Sequence, residues 1–133
     1  MGWLIDTSIW VDVERGTLSP AEVAAVTGNQ PVFLSPVTLA ELRYGAEIAR
    51  PDLRQKRLSA LDRLRGKPLL LIDATTGETF GRLAAELKQQ GRGHQFRVQD
   101  LWLAAQAVQH GHGLLTRNMK DFEDIPGLVV ATV

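Results

Sequence analysis

Short apolar runs alternate with longer amphipathic segments along most of the chain, and this alternation constrains the fold more than any other feature. Five runs have the length and the flanking turn residues of buried strands: Trp3–Ile5, Val32–Leu34, Leu69–Ile72, Gly113–Thr116 and Leu128–Val130. Helical patterns lie between most of these runs. Their order predicts one α/β domain over residues 1–133, with a central parallel sheet flanked by helices on both faces.

Capping residues indicate where the helices begin and end. We predict helices from about Thr7 or Ser8 to Gly16, over Pro20–Thr27 behind the N-cap Ser19, from Pro36 to about Ala49, from Pro51 to about Arg65, from a cap at Thr75 or Thr76 to the turn at residues 91–93, and over Val98–His110 before Gly111. The sequence contains no internal repeat and no flexible interdomain linker. We therefore expect no second domain.

The composition limits the class of protein. A chain of 133 residues with an apolar fraction of 44% can bury the core of one ordinary globular domain. The absence of cysteine excludes disulfides and thiolate metal sites, which fits a reducing cytoplasm. The N-terminal apolar run is interrupted by Asp6 and lacks a basic lead, so it predicts neither a signal peptide nor a membrane span. We expect a cytoplasmic protein without a membrane anchor.

The charged residues are balanced in number but unevenly distributed. The formal net charge is zero, with 15 basic and 15 acidic residues, so no overall positive field attracts nucleic acid. Between positions 43 and 67, however, basic residues outnumber acids: Arg43, Arg50, Arg54, Lys56, Arg57, Arg63, Arg65 and Lys67 against Glu47, Asp52 and Asp62. This segment is either a local basic face for a polyanion or the solvated surface of a helical pair.

Four acids follow strands or begin helices in the predicted layout. Asp6 ends the first apolar run, Asp121 comes shortly after the fourth, and Glu41 and Asp100 lie near helix starts. Because the carboxyl ends of parallel strands share one rim, where ligands bind, we expect these side chains to gather there. Each acid alone has an ordinary explanation as an N-cap, a first-turn acid or a solvated side chain. The prediction of a functional site therefore depends on all four acids lying together.

Clustered carboxylates indicate a hard metal ion. Several such groups within a few ångströms repel one another and take up protons unless a cation intervenes. Oxygen-only ligands favour Mg²⁺ or Mn²⁺, and Mg²⁺ typically binds one or two carboxylates while it keeps several waters. Such an ion activates water and neutralises charge on a scissile phosphate, so this arrangement predicts phosphodiester hydrolysis.

Four blocks of sequence then resemble one known family in order and in residue type. They are residues 4–10 (LIDTSIW), residues 35–46 (SPVTLAELRYGA), residues 100–105 (DLWLAA) and residues 114–122 (LLTRNMKDF). Together they span almost the whole chain. The combination resembles the PIN-domain ribonucleases of the VapC toxin type, the toxic half of type II toxin–antitoxin pairs.

The resemblance implies a role for each matching residue. It implies that Asp6, Glu41 and Asp100 are catalytic metal-binding acids and that Thr7 and Thr116 are hydroxyl groups lining the substrate pocket. At the fourth acidic position many family members carry aspartate where this chain has Asn118. We assign the fourth acid to the nearest carboxylate, Asp121, as catalytic and metal-binding. Asn118 is predicted to bind the substrate. The alternative is that Asn118 fills the fourth position itself, because an amide oxygen can ligate a metal although it brings no charge.

The resemblance also implies a sheet order of 3-2-1-4-5, a homodimer and a VapB-type antitoxin that blocks the acidic pocket. Its implied activity is Mg²⁺- or Mn²⁺-dependent endonucleolytic cleavage of structured RNA. For the phosphate contacts that RNA requires, we favour Arg43 and Arg117. His94, His110 and His112 receive no catalytic role, because the latter two end a helix and lack a third nitrogen ligand.

Two other functions are compatible with a small α/β fold. In a receiver-type signalling domain, Asp73 would accept a phosphoryl group, but the first strand would end in one acid only and Lys120 would follow the wrong strand. A catalytically silent PIN-like RNA-binding module is favoured only by Asn118. Metal-dependent RNA cleavage would indicate the nuclease, and phosphate uptake on Asp73 would indicate the receiver domain. RNA binding without cleavage would indicate the silent module.

Overall fold

Strands and helices follow one another in the order predicted, except at one strand. The structure, a computed structural model, describes residues 1–92 and 96–133. Its elements are β1 (Trp3–Ile5), α1 (Thr7–Arg15), α2 (Pro20–Thr27), β2 (Val32–Phe33), α3 (Pro36–Glu47), α4 (Pro51–Leu64), α5 (Ala74–Gln89), α6 (Val98–His110), β3 (Gly113–Leu115) and β4 (Val129–Ala131). A short 3₁₀ turn covers Met119–Asp121. The predicted α/β class is confirmed.

The central sheet is parallel and lies between two layers of helices. Its order is β2-β1-β3-β4, with Leu4 of β1 paired to Phe33 on one side and Leu114 on the other. Alternate side chains of a strand point to opposite faces of the sheet. Leu4 and Leu114 thus pack in a core with side chains of α5 and α6, whereas Ile5 packs with Ile9 of α1. The predicted covering of both faces by helices is correct.

The predicted strand Leu69–Ile72 is wrong, and among the described residues the sheet has four strands where the order 3-2-1-4-5 requires five. The segment contributes a single parallel bridge between Leu34 and Leu69. The reason lies in its neighbour, because β2 ends at Phe33 and Ser35 already caps α3. The edge therefore offers too few partners for a ladder, and Leu71 and Ile72 are left exposed.

The cap of α5 also differs from the prediction. Asp73, not Thr75 or Thr76, is the N-cap, and its carboxylate accepts a hydrogen bond from the Thr76 backbone N–H at 3.0 Å. The Thr76 hydroxyl accepts in return from the Asp73 N–H at 3.1 Å, which completes a capping box. These contacts hold the pKa of Asp73 below its usual range. Asp73 is thus accounted for as a helix cap.

His112 is fixed by contacts with β2 and with the residue before β1. His112 Nδ1 accepts a hydrogen bond from the Gly2 N–H at 2.9 Å, and its ring stacks on Phe33 with 4.6 Å between centroids. Burial and the neighbouring charge of His110 lower the pKa of His112. His94 lies outside the described residues.

The longest helix in residues 1–92 and 96–133 is α5 with 16 residues, whereas a bilayer span needs about 20 apolar ones. None of the helices described is both long and apolar enough to cross a membrane.

Gly113 provides a test of the packing between β1 and β3. A Cβ atom at this position would lie 2.5 Å from Cζ3 of Trp3, whose indole N–H is held by Gln30 at 2.7 Å. We expect Gly113→Ala to lower the free energy of unfolding by about 1–3 kcal/mol, because the buried ring must move. Urea unfolding measures the change. Gly81→Ala is the matched control, since Gly81 lies in α5 with nothing within 4 Å of its Cβ. Equal effects would contradict this description.

Candidate active site

Asp6 forms the centre of the site, at the junction of β1 and α1. It is the N-cap of α1, and its Oδ1 accepts from the Thr7 N–H at 2.8 Å. Its Oδ2 accepts from the hydroxyls of Ser8 at 2.7 Å and Thr116 at 2.8 Å. The side chain is only 5% exposed. A carboxylate held by several donors at the carboxyl end of a central strand has one fixed orientation.

Glu41 reaches the same place from α3. Its Oε1 accepts a hydrogen bond from the Thr7 hydroxyl at 3.0 Å, and that hydroxyl also lies 3.2 Å from Oγ1 of the buried Thr38. Because Thr7 directly follows Asp6, this contact brings Glu41 next to the β1 end. Its side chain remains 28% exposed, so it faces the opening of the site.

Asp100 approaches from the first turn of α6 and is paired with Arg97. The Arg97 guanidinium donates from Nε to Oδ2 at 3.1 Å and from Nη2 to Oδ1 at 3.0 Å. The same Nη2 lies 3.8 Å from Oε2 of Glu41. Asp100 is 3% exposed, whereas the Arg97 side chain is 65% exposed. Arg97 therefore links Asp100 and Glu41 from the solvent side of the site.

The segment after β3 provides the remaining wall. Thr116 is fully buried and, besides its contact with Asp6, accepts from the Asn118 backbone N–H at 2.9 Å. The Arg117 backbone N–H donates to the Ser8 hydroxyl at 3.1 Å. Asp121 is exposed and close enough for its charge to raise the pKa of Arg97. The Asn118 side chain is also exposed.

The electrostatics reflect the crowding of negative charge. Burial raises the pKa of Glu41 above its usual value, and the charges of Asp6 and Asp100 raise it further. The Thr7 hydrogen bond and the positive charge of Arg97 act in the opposite direction. Hydrogen bonding to Asp100 and its charge, with smaller contributions from Glu41 and Asp121, raise the pKa of Arg97. The groups thus belong to one electrostatic cluster.

The structure brings together some of the residues predicted from sequence but not all. Five of them meet at the carboxyl end of β1: Asp6, Thr7, Glu41, Asp100 and Thr116. Asp121 lies at the edge of this group. The two favoured arginines have partners elsewhere. Arg43 Nε pairs with Glu47 at 3.3 Å, and Arg117 pairs with Asp12 at 3.1 Å and the Val133 carbonyl at 2.6 Å. Their roles toward RNA stay predictions.

Sequence reasoning missed Ser8, Thr38 and Arg97. The signal for Arg97 was available, since residues three apart on a helix are neighbours and Arg97 precedes Asp100 by three. For Ser8 and Thr38 the sequence carried no such signal. A hydroxyl near an acid becomes meaningful only when the fold places it within hydrogen-bond distance.

The donor chemistry fits a hard divalent cation. The side chains of the site offer oxygen ligands only, which such an ion prefers: Asp6, Glu41, Asp100 and the hydroxyls of Thr7 and Thr116. Within residues 1–92 and 96–133, no three acidic or histidine side chains lie close enough together to hold one ion. One or two carboxylates with several waters suffice for Mg²⁺.

The family model described as PIN domain matches residues 3–128. The chain is 34% identical to Ribonuclease VapC1 of Rickettsia felis over 137 residues, which covers 100% of this chain and 97% of that protein. It is 32% identical to Ribonuclease VapC5 of Mycobacterium tuberculosis over 130 residues, which covers 93% and 87% respectively.

Solved structures show the same similarity. VapBC2 from Rickettsia felis, bound to a DNA fragment from its promoter, contains a chain that matches with a TM-score of 0.85 and 27% identity, covering 100% of this chain and 99% of that one. VapBC-5 from Mycobacterium tuberculosis matches with a TM-score of 0.75 and 29% identity, covering 100% and 98%.

The hydrogen bond between Thr7 and Glu41 generates a test of the site's electrostatics. Thr7→Val removes a donor that favours the ionised carboxylate, so we expect the pKa of Glu41 to rise further above its usual value. NMR titration of the Glu41 side-chain carboxyl resonance measures it. Thr17→Val is the control, since the Thr17 hydroxyl instead donates to the Asp12 carbonyl. An unchanged or lowered pKa in Thr7→Val would contradict this account.

Proposed function

Because the chain belongs to the PIN-domain family, and within it to the VapC ribonucleases, we propose that it is an endoribonuclease and the toxin of a type II toxin–antitoxin pair. One observation carries the proposal. The buried carboxylates of Asp6 and Asp100, with Glu41 beside them, converge on one rim of the sheet. Such a charge cluster is costly to a fold and is typical of a catalytic site.

The proposed cofactor is Mg²⁺ or Mn²⁺, and Asp6, Glu41, Asp100 and Asp121 are its candidate ligands. One or two of these carboxylates would bind the ion directly, and waters would complete its coordination. When bound, the ion supplies water activation and neutralises charge on the phosphate. The chain's own residues position the acids. Ser8 and Thr116 fix one oxygen of Asp6, and the Thr7 backbone fixes the other. Thr7, Thr116 and Asn118 are proposed to line the path of the substrate.

For the substrate we propose structured RNA. Arg43 is half exposed and Arg117 lies at the surface, so either guanidinium can exchange its intramolecular partner for a phosphate. The basic segment of α3 and α4 carries further positive charge, part of it paired with Glu47, Asp52 and Asp62. RNA is found in the cytoplasm, where we place the protein.

A VapB-type antitoxin is the proposed partner, and a groove beside the acids supports it. The groove has a volume of about 590 Å³ and begins at Thr7 and Glu41. Its apolar part includes Trp10, whose buried indole N–H has no hydrogen-bond partner in the part of the chain described. Its lining also includes Lys56, Arg57 and Lys67. An apolar segment with acidic flanks fits this surface. Co-expression with a VapB-type antitoxin tests the proposed partnership, because a bound antitoxin should abolish RNA cleavage.

We further propose a homodimer. Tyr44 and Ile48, one helical turn apart at the end of α3, are each 66% exposed. Large apolar side chains in such positions are typical of protein contacts. A monomeric mass by light scattering would contradict this proposal.

Removal of single acids tests the proposed activity. Asp6→Asn and Asp100→Asn should each lower the rate of RNA cleavage at least about 100-fold, because each removes a charge that the cation requires. A fluorogenic RNA assay with Mg²⁺ or Mn²⁺ measures the rate, and chelation should abolish it. Asp62→Asn is the control, since Asp62 forms an exposed pair with Arg65. Undiminished cleavage by both folded site variants would refute the mechanism, and circular dichroism verifies the fold.

Asp121 and Asn118 are tested separately. We expect Asp121→Asn to lower cleavage partially, because Asp121 is exposed at the edge of the cluster. The same assay compares it with Asn118→Ala. Full activity of Asp121→Asn would contradict its metal-binding role, and the fourth ligand position would then belong to Asn118 or to water. RNA binding without cleavage by the unaltered protein would favour the catalytically silent module.

A further inference from the structure

Arg97 holds a place among the acids that the proposed chemistry does not explain. It is the N-cap residue of α6, yet its side chain makes no capping hydrogen bond. Instead both oxygens of Asp100 accept from its guanidinium, at 3.0 and 3.1 Å. Its Nη2 also lies 3.8 Å from Glu41. The guanidinium therefore stands between two carboxylates from different helices, α6 and α3.

The guanidinium occupies carboxylates on which a divalent ion would depend. Mg²⁺ would bind carboxylate oxygens directly, at distances of about 2.0–2.1 Å. The Arg97 guanidinium has the charge sign of such an ion and uses the Asp100 oxygens that would bind it. A planar guanidinium suits a carboxylate through paired hydrogen bonds. Simultaneous full occupancy by both cations is opposed by geometry and by repulsion.

Arg97 also compensates a buried charge. Asp100 is 3% exposed, and a carboxylate removed from water without a partner is strongly unfavourable. The exposed guanidinium, by contrast, can leave the pocket toward solvent without burying another group, since its side chain is 65% exposed. The pair is therefore asymmetric, with a fixed anion and a displaceable cation.

We propose that Arg97 is an internal counter-ion that competes with the divalent cation for Asp100 and Glu41. In the absence of metal it holds the two carboxylates together. Metal binding then requires Arg97 to give up its hydrogen bonds to Asp100, so Arg97 weakens metal affinity. This inference rests on the proposed function, because it concerns the ion of that same site.

Calorimetric titration with Mn²⁺ tests the competition. Arg97→Gln should bind Mn²⁺ about tenfold more tightly than the unaltered protein, which is the order of one charge-assisted hydrogen bond that no longer has to break. Arg82→Gln is the matched control, since it removes the same charge from an exposed pair with Glu86 on α5. Its Mn²⁺ affinity should equal that of the unaltered protein.

Thermal unfolding distinguishes this role from a merely structural one. In metal-free buffer Arg97→Gln should melt below the unaltered protein, because Asp100 loses its partner. Saturating Mn²⁺ should raise the melting temperature of Arg97→Gln more than that of the unaltered protein, since ligand binding to the native state is linked to stability. A structural role alone would leave the Mn²⁺-induced rise equal in both.

The outcomes separate this inference from the proposed function. Equal or weaker Mn²⁺ binding by Arg97→Gln overturns the competition but leaves a metal-dependent nuclease intact. Mn²⁺ binding detected only in Arg97→Gln supports the competition in its strongest form. Absence of Mn²⁺ binding in both proteins overturns the metal-dependent mechanism and the inference together.

Discussion

The hydrogen bonds around the Asp6 carboxylate are the constraint on which the site depends. One oxygen caps α1, and the other accepts from Ser8 and Thr116, so a single side chain joins the end of β1 to the residue that follows β3. The Asp6 N–H also donates to the Leu115 carbonyl at 2.9 Å. A buried charge is tolerated because each oxygen has donors. The junction of strand, helix and neighbouring strand is therefore also the centre of the candidate active site.

The second constraint is the accumulation of negative charge around that centre. Glu41 and Asp100 come from α3 and α6, and their proximity to Asp6 is unfavourable unless positive charge compensates it. Arg97 supplies that charge from the chain itself. The same requirement makes the site suitable for a divalent ion. Arg97 and a divalent ion would therefore compensate the same carboxylates.

Much of the fold was predictable because its signals are local. The N-cap Ser19 and the capping box of α2 follow from neighbouring residues, as does the end of α6 at Gly111, where φ is 67°. The run Leu69–Ile72 shows the limit of this reasoning. Its composition is that of a strand, but a strand forms only where a neighbour offers consecutive partners, and β2 is too short to do so. The cap Asp73 was missed because two nearby threonines are also N-cap residues by type, although aspartate is the more favourable type.

Periodicity and capping in the sequence alone determined the helices, the parallel sheet and the expectation that acids at strand ends and helix starts share one rim. Only the tertiary structure decided which groups meet those acids. Thr116 and Asp6 are 110 residues apart in sequence, and nothing in either segment specifies their hydrogen bond. Arg97 likewise shows its bridging role only once α3 and α6 lie side by side. The physical reason is that helices and turns form through contacts within about four residues, whereas a charge-compensated site forms through chain segments that packing alone brings together.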